Sequence, residues 1–421
     1  MTNRMKTRPW CPDTVPMSIA AEQLVDLALE EQFQARRSRQ ADQGKVARRS
    51  KGLTATKERA SVAAITLDVL AHHQSGDRVP FIFKLNKTWL SRGPEEQLAR
   101  NRAVGDRVRD LEEAGWLLCN RSFRFNNCYM TRLQAGPRLI EASEAVGLQL
   151  NDIGYESALP IIELKGPKIG ARRETLPLPK SARVDAYLRQ LAELQAHLNS
   201  AKLTEAGSGN FRIHTSCRVV SRSFLDGSLE RGGRLNGSAF WLCLPKEQRR
   251  ANLRISGEPI AEVDIRAAVP AIAYAYVGQS PDGDPYALPQ APDIPRDAVK
   301  KVMMQMFWSE ISSRSRLPDE ARLMIPDAYT AKHVYSRIRE RNAPIASLLG
   351  RSDPLGAKLM WFESEIIMEA TLRCYTAGIH ALPLHDALLV PASAAEHAKE
   401  ILQAAFVDRM RKTPEVTIER F

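Results

Sequence analysis

"EPIAEVDIRAAVPAIAYAYVG", residues 258–278, changes its periodicity halfway along. In extended chain, Ala261, Val263 and Ile265 fall on one side, while Glu262 and Asp264 fall on the other. The following run, AVPAIAYAYVG, reads as the start of a helix, with Pro270 in its first turn. The segment therefore predicts a strand whose apolar face packs on helices and whose other face carries a carboxylate near its end. Two readings of Asp264 stand at this point: a metal ligand held rigidly by the strand, or the N-cap of the next helix.

A second carboxylate raises a sharper question. "LPLHDALLVP", residues 382–391, sets His385-Asp386 inside an apolar run. A buried carboxylate without a partner costs several kcal/mol or takes up a proton instead. ALPL and ALLV flank the pair, so a β-hairpin with His385-Asp386 at its turn is expected. Two strand-borne Asp residues facing each other suit a pair of divalent ions for in-line phosphoryl transfer. Between them lies "PRDAVKKVMMQMFWS", residues 295–309, where Arg296, Lys300, Met304 and Trp308 recur every fourth residue and share one helix face. Two cations and an aromatic on one face suit a triphosphate and a base. Taken alone, the same helix reads as amphipathic, with snorkelling basic side chains.

The order of these stretches is more specific than any one of them. "GGRLNG" (232–237) precedes "WLCLPKEQRRANLRISGEPIAEVDIRAA" (241–268), then Arg296-x3-Lys300-x7-Trp308, then His385-Asp386. This series resembles the polymerase core of family A DNA polymerases and their single-subunit RNA polymerase relatives. The resemblance covers about the last half of the chain. It implies that Asp264 and Asp386 are the metal ligands of motifs A and C and hold two Mg²⁺ ions, with Mn²⁺ as a substitute. It implies that Arg296 and Lys300 grip the incoming triphosphate, with Met304 and Trp308 at the motif B phenylalanine and tyrosine positions. Arg234 matches the arginine that contacts primer–template, and His385 matches the motif C histidine near the primer terminus. Arg249, Arg250 and Arg254, with Lys246, form a basic cluster before motif A that suits template or primer phosphates. Three positions depart from the family pattern: Val269 and Ala387 stand where DNA polymerases carry Glu, and Ser309 replaces a Gly. The RNA polymerase relatives also lack the motif C Glu, so sugar preference stays open. Glu363 and Glu365 precede motif C on a helix (357–376); an acid contributed near the metals is one reading of them, and solvated or capping roles are the expectation.

The preceding half has another texture. Residues 1–58 read as a basic, partly disordered arm with one helix over 18–33. Within it, 35–59 holds nine Lys/Arg against two acids, which suits either a solvated linker or an arm along phosphates. Residues 59–145 read as helix (60–73), strand (79–85), short helix (85–93), helix (100–120, stopped by Gly115), and two strands turning at Asn126-Asn127. With "DLEEAGWL" this pattern resembles a winged helix-turn-helix. Arg102, Arg107 and Arg109 would then lie on or beside the recognition helix, near DNA. A winged helix used for protein contact, or arginines paired with Glu112 and Glu113, is the alternative. Residues 146–180 are rich in Pro and Gly and read as a linker. From 181 begins the polymerase-like core, opened by an amphipathic helix through Val184, Leu188, Leu191, Leu194 and Leu198.

Bulk properties agree with a two- or three-domain globular chain of 421 residues. No apolar run approaches a membrane span, and a cytoplasmic protein without membrane partners is expected. Cys11, Cys119, Cys128, Cys217, Cys243 and Cys374 form no CxxC pair, and the scattered histidines show no metal-ligand spacing. The net charge of +11 favours a polyanionic partner. The expected fold is α+β: a winged-helix domain, then a compact palm of antiparallel sheet and helices with reduced fingers and thumb. The expected function is template-directed nucleotidyl transfer on DNA with nucleoside triphosphates, in replication of a plasmid, phage or other mobile element, with other replication proteins as further partners. A DNA-binding initiator with an inactive palm, and a primase or RNA polymerase, are the alternatives.

Overall fold

The computed structural model describes residues 7–9, 11, 14–75, 79–83, 98–99, 101, 103–125, 128–155, 161–170, 172–206, 215–237, 239–312 and 315–421. The chain divides into two compact units. One comprises residues 1–161, 185–221 and 236–257; the other comprises 162–184, 222–235 and 258–421. The short helix expected over 85–93, the turn at Asn126-Asn127 and Arg102 lie outside the described residues.

The first unit opens with β1 (Thr7–Pro9), β2 (Thr14–Pro16), α1 (Ile19–Asp42) and α2 (Gly52–Ser75). It continues through β3 (Val79–Phe83), α3 (Val104–Glu113), β4 (Leu117–Phe125), β5 (Cys128–Ala135), α4 (Pro137–Ala145) and β6 (Ile153–Tyr155). Ser18 caps α1 by accepting from the Ala21 N–H at 3.2 Å. α2 is buried from Ser61 to Ala71 and forms the centre of this core. The sheet order is β1-β3-β5-β4, with β1 parallel to β3 and the other two pairs antiparallel.

Two expectations change here. α1 does not stop at residue 33, and much of the basic arm is helix. Acids on α1, α2 and α3 hold four of its arginines in place. Arg36 pairs with Glu58 at 2.8 Å, Arg39 with Asp110 and Glu113, Arg49 with Glu30, and Arg59 with Glu22 and Asp26. The helix expected over 100–120 ends at Glu113. Gly115 adopts φ +76°, a left-handed turn open to glycine, and the chain then enters β4.

The expected linker is also structured. β7 (Ile161–Ile169) and β8 (Arg172–Leu176) form an antiparallel pair, and their sheet runs β11-β10-β7-β8. The Pro and Gly residues that suggested a linker mark other features. Gly166 and Pro167 lie where the ladder shifts register, and Gly170, at φ +60°, turns the hairpin. There follow α5 (Ala182–Ser200), β9 (Leu203–Glu205), β10 (Val220–Leu225), β11 (Ser228–Gly237), α6 (Phe240–Cys243), α7 (Lys246–Asn252) and β12 (Leu253–Ile255). On α5, Val184, Leu191, Leu194 and Leu198 are buried as expected, with Tyr187 rather than Leu188 completing the stripe.

The second unit is built on β13 (Glu258–Ile265), α8 (Ala268–Tyr276), α9 (Arg296–Trp308), α10 (Asp319–Arg322), α11 (Ala331–Arg341), α12 (Gly356–Thr376), β14 (Leu382–Leu384), β15 (Ala387–Pro391), α13 (Ala395–Met410) and β16 (Val416–Arg420). β13 lies between β15 and β16 and is antiparallel to both. Val263 and Ile265 are buried, and Glu262 and Asp264 are half-buried, as the alternation requires. α12 packs against α8 and α13 in one core with the strands. Helices with largely antiparallel sheets make the chain α+β. Among the described residues, no helix is long and apolar enough to cross a membrane.

Candidate active site

Asp264 stands one residue from the end of β13, facing Ala387 on β15 and Thr417 on β16. Its Oδ1 is buried. The strand breaks at Ala267, which adopts a left-handed conformation (φ 50°, ψ 50°) and caps α8 with no side-chain bond. Asp264 is thus a strand residue, and the N-cap reading falls.

Asp386 lies in the two-residue loop of the β14–β15 hairpin, which the Leu384–Ala387 pair closes. His385 takes φ 56° and is exposed, while Asp386 is half-buried. The turn thus lifts the carboxylate out of the apolar run that made it puzzling. Because Asp264 pairs with Ala387, Asp386 sits one residue along from the cross-strand partner of Asp264.

α9 presents Arg296 and Lys300 on its exposed side, while Val299, Val302, Met303, Met306 and Phe307 are buried. Met304 and Trp308 are half-buried against the core. The Trp308 ring covers Gly356 so closely that a Cβ there would lie 2.5 Å from Cδ2. Arg296 donates from Nε to Asp284 Oδ2 at 2.6 Å, and its Cζ lies 5.0 Å from the centre of the Tyr286 ring. Burial pushes the Asp284 carboxyl up, but the bond from Arg296 and the Tyr286 N–H outweigh it and hold the group below its usual range. Tyr286 is 2% exposed. Burial pushes its phenol up; Arg296 opposes this, while the charges of Asp386, Asp284 and Glu363 add to it. Four charged groups from separate segments therefore converge electrostatically on one phenol.

Glu363, on α12, corrects an expectation. It is neither solvated nor a cap: it is 1% exposed and accepts from Arg234 Nε at 3.1 Å. Burial raises its pKa, Arg234 counters this, and the nearby Asp386 charge raises it further. Glu365 is buried too, bonded to Arg222 at 2.6 Å, with Arg409 at 3.3 Å. Gly232 and Gly233 make the Arg234 contact feasible. At Gly233, φ is +75°, and a Cβ would lie 2.9 Å from both Arg222 Nη2 and Ser364 Oγ. The "GGR" of the sequence is therefore a left-handed stretch whose missing side chains let β11 approach Ser364 of α12.

The other predicted residues do not join this group. Arg249 is 6% exposed and donates to the Trp241 and Leu244 carbonyls at 3.1 and 3.2 Å, so it braces α7 rather than meeting a phosphate. Arg250 is half-buried, with its Nε enclosed. Arg254 is half-buried and donates to the Ala251 and Leu253 carbonyls. Arg107 is 5% exposed, bonded to Ser61 Oγ and Asn101 Oδ1 at 2.8 and 2.7 Å, and burial lowers its pKa. It cannot meet DNA from there. Arg109 is exposed, 3.8 Å from Asp106. Sequence reading missed Asp284 and Tyr286. It also misread Glu363, although two carboxylates inside the apolar stretch MWFESEIIM signal buried partners.

Among the described residues, no group of three or more His, Cys, Asp or Glu side chains could hold a metal ion. The candidate donors expected from the sequence are the pair Asp264 and Asp386, on neighbouring strand and hairpin positions. Two hard carboxylate oxygens suit Mg²⁺, which keeps several waters and takes substrate phosphates instead of requiring a full protein cage.

No family model matches the chain, and no curated protein matches it in sequence. Among solved structures, it is similar to the POL domain of Pol1 from M. smegmatis in complex with DNA primer-template and dNTP, at TM-score 0.33 and 11% identity. That match covers 97% of this chain and 66% of the other. A likeness of this size carries no weight for fold or activity.

Proposed function

We propose that the chain is a template-directed nucleotidyltransferase that extends a nucleic-acid primer, in replication of a plasmid, phage or other mobile element. The observation that carries this reading is the β13–β15 register, which sets Asp386 one residue from the partner of Asp264. Arg296 and Lys300, together on the exposed side of α9, support a triphosphate seat on that helix. Asp264 and Asp386 would hold two Mg²⁺ ions, or Mn²⁺ in their place. When bound, the metal lowers the pKa of the attacking hydroxyl and offsets charge on the leaving oxygen. Arg296 and Lys300 bind and orient the triphosphate; Trp308, anchored over Gly356, limits where a base pair can lie; Met304 backs it. Exposed His385 meets the primer end. Arg234, one side of its guanidinium on Glu363, faces the primer–template.

The first unit is proposed to dock DNA in the manner of a winged helix. With Arg107 enclosed, its contact cations are Arg109, Arg37 on the last turns of α1, and Lys45, Arg48 and Lys51 in the α1–α2 connection. The last four are exposed and, among the described residues, in no ion pair. Use of ribonucleotides is a second reading. It is favoured by Val269, which is half-buried against the core and offers no carboxylate.

Purified protein, labelled primer–template and Mg²⁺, with dNTPs or rNTPs in separate reactions, test the proposal. Extension that Asp264→Ala and Asp386→Ala each abolish is expected. No extension with either set sinks the enzyme reading in favour of an initiator with an inactive palm.

A further inference from the structure

We infer that Asp284 and Tyr286 form a clip that positions the Arg296 guanidinium for a nucleoside triphosphate, which makes Asp284 a positioning residue for nucleotide binding. The inference rests on the nucleotidyl-transfer reading. Arg296 is the first residue of α9, and its side chain is 45% exposed. A long side chain at an exposed helix start samples many rotamers, and ordering it opposes binding. Asp284 removes that freedom from one side. It takes Nε at 2.6 Å, with Nη2 at 3.4 Å, while the Tyr286 ring supports the guanidinium face. The edge bearing Nη1 is left for a second anion, and a planar fork with one edge fixed presents the other in a set direction.

The clip is itself anchored. The Tyr286 N–H donates to Asp284 Oδ1 at 3.0 Å. Arg341 donates to the carbonyls of Asp282 and Asp284, and Asn342 Nδ2 donates to the Pro285 carbonyl at 3.0 Å. The Tyr274 hydroxyl on α8 donates to Asn342 Oδ1 at 3.0 Å. Loop 282–286 is thus tied to both α11 and α8.

The test is a double-mutant cycle on the full chain, reading dNTP affinity by calorimetry with Mg²⁺ present, and KM and kcat by primer extension. Asp284→Asn keeps the size of the side chain and removes its charge. The expected result is a dNTP Kd and KM raised about tenfold, with kcat changed much less. Asp284→Asn in an Arg296→Ala background is expected to add nothing further. An unchanged Kd in Asp284→Asn, or an equal loss in both backgrounds, overturns the clip while leaving the enzyme reading intact. A wild-type chain that binds no triphosphate overturns both. If Asp284→Asn fails to fold, Arg296→Lys carries the test. It keeps the charge but loses the fork, and a Kd that stays at the wild-type value rules the clip out.

Discussion

Arg234→Ala takes from Glu363 the cation that opposes its burial, and the consequence depends on pH. Glu363 is 1% exposed, and the Arg234 guanidinium, 30% exposed, is its charge partner. Breaking a buried ion pair costs about 3–5 kcal/mol; with Arg234 partly open to water, about 2–3 kcal/mol is expected at pH 8. Glu363 already has a folded pKa above the ordinary glutamate value of 4.5, because burial and Asp386 raise it and Arg234 only partly counters them. Removing Arg234 raises it again. A carboxyl with a raised folded pKa binds more protons folded than unfolded, so its contribution to stability falls as pH rises through the window above 4.5. The variant's penalty is therefore largest at high pH and shrinks as pH falls toward the ordinary glutamate range, because the raised pKa lets Glu363 take up a proton in the fold. Urea unfolding of wild type, Arg234→Ala, Glu363→Gln and the double variant, at pH 5 and pH 8, measures this. Glu363→Gln in the Arg234→Ala background is expected to restore most of the loss at pH 8. Equal penalties at the two pH values, or a double variant as weak as Arg234→Ala, refute the reasoning.

Gly233→Ala meets both a left-handed backbone and the Arg222–Ser364 contact, so a loss of about 2–4 kcal/mol by thermal unfolding is expected. Gly257→Ala, equally left-handed but with open space, is expected to lose about 1 kcal/mol. Replacing Arg37, Lys45, Arg48 and Lys51 together with Ala lowers the slope of log K against log salt for duplex DNA by about 3–4, because each phosphate contact contributes about 0.9; an unchanged slope rejects that surface. Arg107→Ala and Arg249→Ala leave the same slope intact and lower the melting temperature, since both guanidiniums brace buried backbone or polar groups.

Local pattern determined much of the second unit. The alternation around Asp264, the apolar flanks of His385-Asp386 and the four-residue recurrence on α9 each encode a strand, a hairpin and a helix face, because side-chain period follows backbone geometry within a few residues. The tertiary structure decided which charges are available. Arg107 and Arg249 look like surface cations in sequence and prove enclosed, and Glu363 looks solvated and is buried. Arg296 meets Asp284, twelve residues away, only because a loop is tied back by Arg341 and Asn342. The Pro- and Gly-rich stretch around 166–170 became a bulged hairpin because strands from elsewhere in the chain pair with it. An ion pair joins groups that the chain brings together from any distance, so no periodicity announces it. The sequence by itself thus named the elements around Asp264, Arg296 and Asp386 and the two carboxylates, while their charged partners depended on the packing of distant segments.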